Sequence, residues 1–339
     1  MTTIYDIAKK TGFSITTVSK VLNNYSDVSE KTKKKILAAV DEMGYYPNSH
    51  ARSLTTKRSW TIGVVFMESL GIGIKHPFFN AVIESFKQRA EQFGYDMLFV
   101  SRNIITEKKS IIDHFQHRGV DGVVVVCSMT DDPEVVKLMQ STLPTVIIDM
   151  HSSKTSVVYS DNSYGSVLAV DYLHSLGHRK IAHIYGHQET YAGTERLKGF
   201  IKATKKHSLI IPKSYFVNGE FFSIEGGQKA MNELLALDDP PTAVYAAGDS
   251  MAIGAIKAIK SHGLSVPDDI SVIGFDDIEI AQHVSPALTT IKQDMDQLGS
   301  TAADMLIDQI NEKSKLSKAI TIPVQLMIRE SCKAIDQDE

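Results

Sequence analysis

Thr3-Ile4-Tyr5-Asp6-Ile7-Ala8-Lys9-Lys10-Thr11-Gly12, followed closely by Ser14-Ile15-Thr16-Thr17-Val18-Ser19-Lys20-Val21-Leu22-Asn23, decides how this chain begins. Thr3 with Asp6 is a capping-box spacing, in which each residue satisfies an N–H the other leaves unpaired. Ile4, Ile7 and Ala8 then recur at helical spacing, and Gly12 ends the helix where a left-handed turn is needed. Ser14 starts a second helix whose Val18, Val21 and Leu22 point back at the first. Ser29 caps a third, with Glu30 in its first turn and Ile36, Ala39, Val40 and Met43 on one face. Helix, glycine turn, helix is the arrangement that puts the early residues of the second helix into a DNA major groove. The outer face carries Ile15, Thr16, Thr17, Ser19 and Lys20: a lysine that can donate to guanine O6/N7 and an isoleucine that can pack on a thymine methyl. On pattern alone, a three-helix protein-interaction unit stays open.

Charge points the same way. Net charge is −4 over 339 residues, yet residues 1–60 carry +5 and the remainder −9. A basic unit on an acidic body directs only the first part toward a polyanion. The length implies two or three folding units. No apolar run is long enough to span a membrane, and the polar start gives no export signal, so no membrane partner and a cytoplasmic location are expected. Cys127 and Cys332 stand alone, without zinc or disulfide spacing.

From Trp60 onward the pattern changes to apolar runs alternating with amphipathic helices. Strands are expected at 61–66, 96–100, 122–126, 145–148, 180–184, 243–246 and 271–275, and helices at 78–93, 162–176, 194–206, 223–236 and 249–262. Near-continuous Val/Ile runs suit parallel strands buried on both faces, and the alternation makes repeated βαβ units. Gly71-Ile72-Gly73 is too short for a dinucleotide cradle, no phosphate loop is present, and the histidines show no metal-ligand spacing. Gly248-Asp249-Ser250-Met251-Ala252 imitates a nucleophile elbow, but its last glycine is replaced and no His–Asp relay stands nearby. Asp249 is read instead as a helix cap at the carboxyl edge of a sheet, where ligands collect. No catalytic residue, metal or cofactor is expected.

Between the two parts, Pro47 stops the third helix and Asn48 can cap a short one through Ser49-His50-Ala51-Arg52-Ser53-Leu54. Seven residues are too few for a stable isolated helix, so this segment is expected to order only when docked.

The quoted motifs, with Val28-Ser29-Glu30-Lys31-Thr32, Met43-Gly44-Tyr45-Tyr46-Pro47-Asn48 and Ala51-Arg52-Ser53-Leu54, resemble the DNA-binding headpiece of the lactose-repressor (LacI/GalR) family. Core segments such as His76-Pro77-Phe78-Phe79-Asn80, Ser160-Asp161-Asn162, Glu195-Arg196-Leu197-Lys198-Gly199-Phe200 and Gly274-Phe275-Asp276-Asp277 resemble the same family. The resemblance implies an all-α helix-turn-helix headpiece (1–47), a hinge helix and linker (48–59), and an α/β two-lobed periplasmic-binding-protein-like core (60–339) with parallel sheets flanked by helices. Lobe 1 would hold about 60–161 and 292–322, lobe 2 about 162–291 and 323–335, with crossings near 161, 291 and 323.

By position, Ile15, Thr16 and Lys20 would read bases and Thr17, Ser19 and Asn23 would contact phosphates. Position 20 is often Arg or His in relatives, which leaves the operator sequence open. Ala51, Arg52 and Leu54 would enter the minor groove from paired hinges, with Leu54 as the wedge. Arg196 and Asp276 would contact an effector, with aromatic faces from Phe78, Phe79 and Phe221 and weaker candidates in Asp249, Asp161 and Asp149. The implied function is a repressor on palindromic operator DNA, released by a sugar. The alternative is a regulator strengthened by a corepressor, either a purine or a phosphorylated carrier protein. The insert Glu68 to Lys75 departs from the usual short loop, and the absence of a terminal leucine heptad favours a homodimer.

Overall fold

The structure is a computed structural model that describes residues 2–22, 25, 27–45, 58–66, 73–100, 110–152, 154–312 and 317–335. The chain divides into two compact units, Met1–Trp60 and Thr61–Glu339.

In the first unit α1 spans Ile4–Thr11, α2 Ile15–Leu22 and α3 Glu30–Glu42. Local chemistry sets each boundary. Thr3 and Asp6 form the reciprocal capping box, and Gly12 closes α1 at φ 76°. Ser14 Oγ accepts from Thr17 N–H at 3.1 Å at the start of α2, and Ser29 accepts from Thr32 N–H at the start of α3. Ile7, Val18, Val21 and Ile36 bury against one another, with Ile4, Ala8, Leu22, Val40 and Met43 packed around them.

The second unit holds two six-stranded sheets. The first is ordered β11-β5-β4-β3-β1-β2: β1 Thr61–Phe66, β2 Asp96–Phe99, β3 Gly122–Cys127, β4 Thr145–Ile148, β5 Ser156–Ser160 and β11 Ala319–Ile322. All its pairings are parallel. Its flanking helices are α4 Pro77–Gln92, α5 Ile111–Arg118, α6 Pro133–Gln140 and α11 Met295–Glu312. The second sheet is ordered β12-β10-β9-β8-β6-β7: β6 Ile181–Tyr185, β7 Phe216–Asn218, β8 Ala243–Ala246, β9 Ser271–Asp276, β10 Thr289–Gln293 and β12 Val324–Met327, with α7 Asn162–Ser175, α8 Tyr191–Lys206, α9 Ile224–Leu235 and α10 Asp249–Ser261. Only β12 runs antiparallel there, against β10.

The chain passes between the sheets after β5, after β10 and at Pro323. Because β10 runs to Gln293 and α11 starts at Met295, the middle passage falls at Asp294. Five strands, β5, β7, β10, β11 and β12, escaped the sequence reading. They are short, and in the last three Lys292, Gln325 and the exposed Ala319 and Thr321 interrupt the apolar pattern.

Separate apolar clusters fill the two halves. Val65, Phe115, Val123, Val125, Ile147 and Val157 bury in the first, and Val170, Phe200, Tyr245, Ile273, Phe275 and Ile291 in the second. Within the latter, His183 is fully buried between Phe200 and Tyr245, its ring 4.7 and 4.6 Å from theirs. Its Nδ1 lies 2.9 Å from the Tyr245 carbonyl. Burial pulls its pKa down to about 4. The unfolded chain therefore takes up this proton near pH 6.5 while the folded one resists it to about pH 4, so stability is full above pH 6.5 and falls as pH drops through that window. The shift corresponds to about 3 kcal/mol. Urea unfolding of His183→Phe should lose less stability than the wild type between pH 7 and pH 4.5; parallel losses would contradict this assignment.

Candidate functional site

The headpiece presents its candidate DNA-reading residues on α2. Val18 and Val21 take the buried face, which turns Ile15, 40% exposed, and Thr16 outward. Thr17 is half-buried, and its hydroxyl lies 2.8 Å from Ser14 Oγ. Ser19 and Lys20 are half-buried. Lys20 is bonded to Asp27, and this contact holds Asp27 below the usual carboxylate range. The sequence reading did not anticipate that partner; Lys20 must leave it to reach a base. Asn23, Ala51, Arg52 and Leu54 lie outside the described residues.

The second constellation lies between the two sheets, where the chain passes from one to the other. Arg196, on α8, is 3% exposed. Its Nε donates to Asn162 Oδ1 at 2.8 Å, and Nη1 donates to the Ala247 carbonyl at 2.6 Å and Asp276 Oδ1 at 3.3 Å. Its guanidinium sits 3.8 Å from the Phe275 ring centre, a cation–π contact strengthened by burial. Asn162 follows the first passage and also donates to Asp149 Oδ1 at 3.0 Å. Gln293, at the second passage, donates to Asp276 Oδ1 at 2.7 Å. One polar network thus joins Asp149 of the first half to Arg196 and Asp276 of the second through residues at the passages themselves.

Several backbones here adopt left-handed φ angles: Asp149 at 59°, Phe222 at 54°, Asp276 at 121° and Asp277 at 60°. Non-glycine residues held this way cost free energy and concentrate at functional sites. Burial raises the Asp149 carboxyl, opposed by Arg196 and Asn162. It also raises Asp276, against the pull of Arg196, His76 and Gln293. At the margin, Thr130 donates through N–H and hydroxyl, both at 3.0 Å, to the Glu189 carbonyl of the other half.

The other expected effector residues divide. Phe79 is half-buried, edge-on to Phe66 at 5.5 Å and Phe78 at 5.1 Å, while Phe78 is packed inside its lobe at 4% exposure. Phe221 stacks on His187 at 4.2 Å. Its neighbour Phe222 is the one nearer Arg196, with 5.7 Å from the guanidinium to its ring centre. Asp161 accepts from Tyr164 N–H as the cap of α7, which accounts for it without a ligand.

Asp249 is not the cap of α10. Gly248 occupies that position without a side-chain bond, while the fully buried Asp249 carboxylate accepts from Ile278 N–H and from the Thr290 hydroxyl. Burial and the nearby Asp276 push its pKa well up. Both oxygens are engaged within its own half, by Ile278 and Thr290.

Sequence reasoning missed Asn162, Gln293, Phe222 and His76 as members of this cluster. Asn162 and His76 sat inside quoted motifs, but nothing in those motifs says where the chain crosses. Burial pulls His76 below the ordinary imidazole range; Asp276 and the Phe222 backbone oppose this, and Arg196 adds to it. Gln293 Oε1 and Ser160 Oγ are buried without a hydrogen-bond partner among the described residues, and the buried His76 ring has no well-formed one beyond its approach to the Phe222 backbone. Buried polar atoms are normally satisfied, so the unused capacity in the network of Arg196 and Asp276 makes this the candidate ligand site. Among the described residues no cluster suits a metal ion, and no helix is long and apolar enough to cross a membrane.

Removing one member of a buried ion pair strands the other, at a cost of about 3–5 kcal/mol. Arg196→Leu should lower the urea-unfolding free energy of the core by that order while the Arg196→Leu/Asp276→Leu double variant recovers part of it. A single variant as stable as the wild type would show that the pair is not held as described.

Comparison with known proteins agrees with this geometry. Residues 3–48 match the model of bacterial regulatory proteins of the lacI family, and residues 170–332 match a periplasmic binding protein-like domain. The chain is 37% identical to the HTH-type transcriptional repressor PurR of Pectobacterium carotovorum subsp. carotovorum (strain PC1), over 98% of this chain and 97% of that one. The lac repressor dimer bound to operator and the anti-inducer ONPF superposes with a TM-score of 0.82 at 30% identity, covering 98% of this chain and 99% of that one. A complex of the transcriptional regulator CelR with cellobiose gives 0.75 at 29%, covering 98% and 100%. A helix-turn-helix headpiece joined to a two-lobed α/β core, matched from end to end at this level, makes the chain a member of the LacI family of DNA-binding transcriptional repressors.

Proposed function

We propose that this repressor acts as a homodimer on a palindromic operator and that a purine, held between the lobes at Arg196, Asp276 and Phe222, strengthens its grip as a corepressor. The exposed start of α2 supports base reading by Ile15, Thr16 and Lys20, the last once released from Asp27, with Thr17, Ser19 and Asn23 on phosphates. The single observation behind the ligand site is the set of unsatisfied buried polar atoms around a buried Arg–Asp pair. An aromatic wall beside it suits the face of a planar ring. The end-to-end identity to a repressor named PurR, 37%, against 29% to the cellobiose-bound regulator, supports a purine over a sugar. A sugar inducer remains the second reading, favoured by that cellobiose complex.

The coupling runs through the hinge. Ala51, Arg52 and Leu54 would order as a pair in the minor groove only when the lobes hold the two headpieces about 34–36 Å apart. A ligand that prefers one lobe arrangement then shifts the operator equilibrium by its differential affinity for that state.

Gel-shift titration of the full chain on the DNA upstream of its own gene tests this directly. Binding should fall steeply with salt and tighten at least tenfold with guanine, hypoxanthine or adenine. Weaker binding with cellobiose and no effect of any purine would replace the corepressor by a sugar inducer; no preference over random DNA would end the repressor reading for that site. In the same assay Leu54→Ala should weaken DNA binding at least tenfold while ligand affinity, read by calorimetry, stays within about twofold. Unchanged DNA binding would remove Leu54 from the groove.

A further inference from the structure

The charge and hydrogen-bond inventory of the cleft restricts what can enter it. Among the described residues Arg196 is the one buried Lys or Arg, and Asp276 already faces it at 3.3 Å. Asp149 joins the same network through Asn162, and Asp249 neighbours Asp276. The adjacent Arg329 is matched by Asp277 at 2.6 Å. Among the described residues two carboxylates, Asp149 and Asp276, thus share a single guanidinium. His76 adds no positive charge near pH 7, since its burial favours the neutral ring.

The unused capacity holds the Nη2 donors of Arg196, which make none of its hydrogen bonds among the described residues, and beside them mostly acceptors. Gln293 is 2% exposed; its Nε2 is fixed on Asp276 Oδ1, which leaves Oε1 as an acceptor without a donor among the described residues. The hydrogen bonds that Asp276 accepts fall on Oδ1, so Oδ2 stays available. A neutral imidazole at His76 offers one acceptor and one donor, and Ser160 Oγ can do either.

We infer that this cleft selects an uncharged ligand rich in N–H or O–H donors and rejects phosphorylated and carboxylated compounds of the same size. A phosphate would bring more acceptors and up to two negative charges beside carboxylates at low local dielectric, where like charges repel most strongly. A free base or an unmodified sugar brings donors to Gln293 Oε1 and Asp276 Oδ2 and adds no charge. The inference rests on the ligand site proposed above but is independent of whether the ring is a purine or a sugar.

Calorimetric titration of the full chain at pH 7.5 with matched pairs tests it: guanosine and GMP, inosine and IMP (with the free bases alongside), ribose and ribose 5-phosphate, cellobiose and cellobiose 6-phosphate. The tightest ligand should be an uncharged member, at least 100-fold tighter than its phosphorylated partner, and Asp149→Asn should shrink that ratio at least tenfold. An uncharged sugar as the tightest ligand would uphold this inference and end the purine reading. A nucleotide as the tightest would do the reverse. A winning sugar phosphate, no binding by any uncharged probe, or a ratio unmoved by Asp149→Asn would overturn the inference.

Discussion

A guanidinium can be held inside a protein only if its charge and its donors are answered there, because the cost of leaving water is otherwise too large. At Arg196 the answers come from separate stretches of chain: Asn162 just past the first passage between the sheets, Ala247 after β8, and Asp276 at the end of β9. Gln293, at the second passage, reaches the same Asp276 oxygen. The segments about which the two halves must pivot are therefore tied to the groups that a ligand would touch. A ligand that takes a hydrogen bond from this set changes the balance of forces at the pivot without any long relay. That gives a two-lobed core a physical route to respond to what it binds.

The surroundings keep that network in place. Phe275 lies against the guanidinium and Phe222 beside it, while the neighbouring Asp249 is anchored by Ile278 and Thr290. Glycines make room where a side chain would collide: a Cβ at Gly274 would come within 2.3 Å of Asp249 Oδ1, and one at Gly186 within 2.3 Å of the Phe222 ring. At the margin, the Thr130–Glu189 contacts and the 5.2 Å Tyr159–Tyr191 ring pair join the halves a second time. The halves are thus held at the pivot and at the rim, leaving the cleft between these contacts.

The headpiece was legible from sequence because its signals are local. Thr3, Asp6, Gly12, Ser14 and Ser29 act within four residues of their own positions, and each cap occurs where the pattern put it. The long Val/Ile strands were legible for the same reason. The short strands β10, β11 and β12 were not, since their identity depends on partners far along the chain. The cleft lay between these cases. Arg196 and Asp276 came from resemblance, and the structure brings them together. Phe222, Gln293 and His76 needed three dimensions, because only packing shows which rings reach Arg196 and where a passage falls. Asp161 and Asp249 showed the converse: acidic residues beside a ligand-collecting edge that are occupied by helix capping and internal support.

The central claim, that the Arg196 network sets how the two halves stand relative to each other, can be measured as a distance. Spin labels at Lys137→Cys on α6 and Lys198→Cys on α8 occupy exposed positions on opposite halves, and burial pushes the native thiols of Cys127 and Cys332 up to about 12, which keeps them unreactive. Pulsed electron-electron resonance on the ligand-free full chain should give a narrow distance distribution that broadens and lengthens when Arg196→Leu is added. An identical distribution in the folded variant would contradict the account.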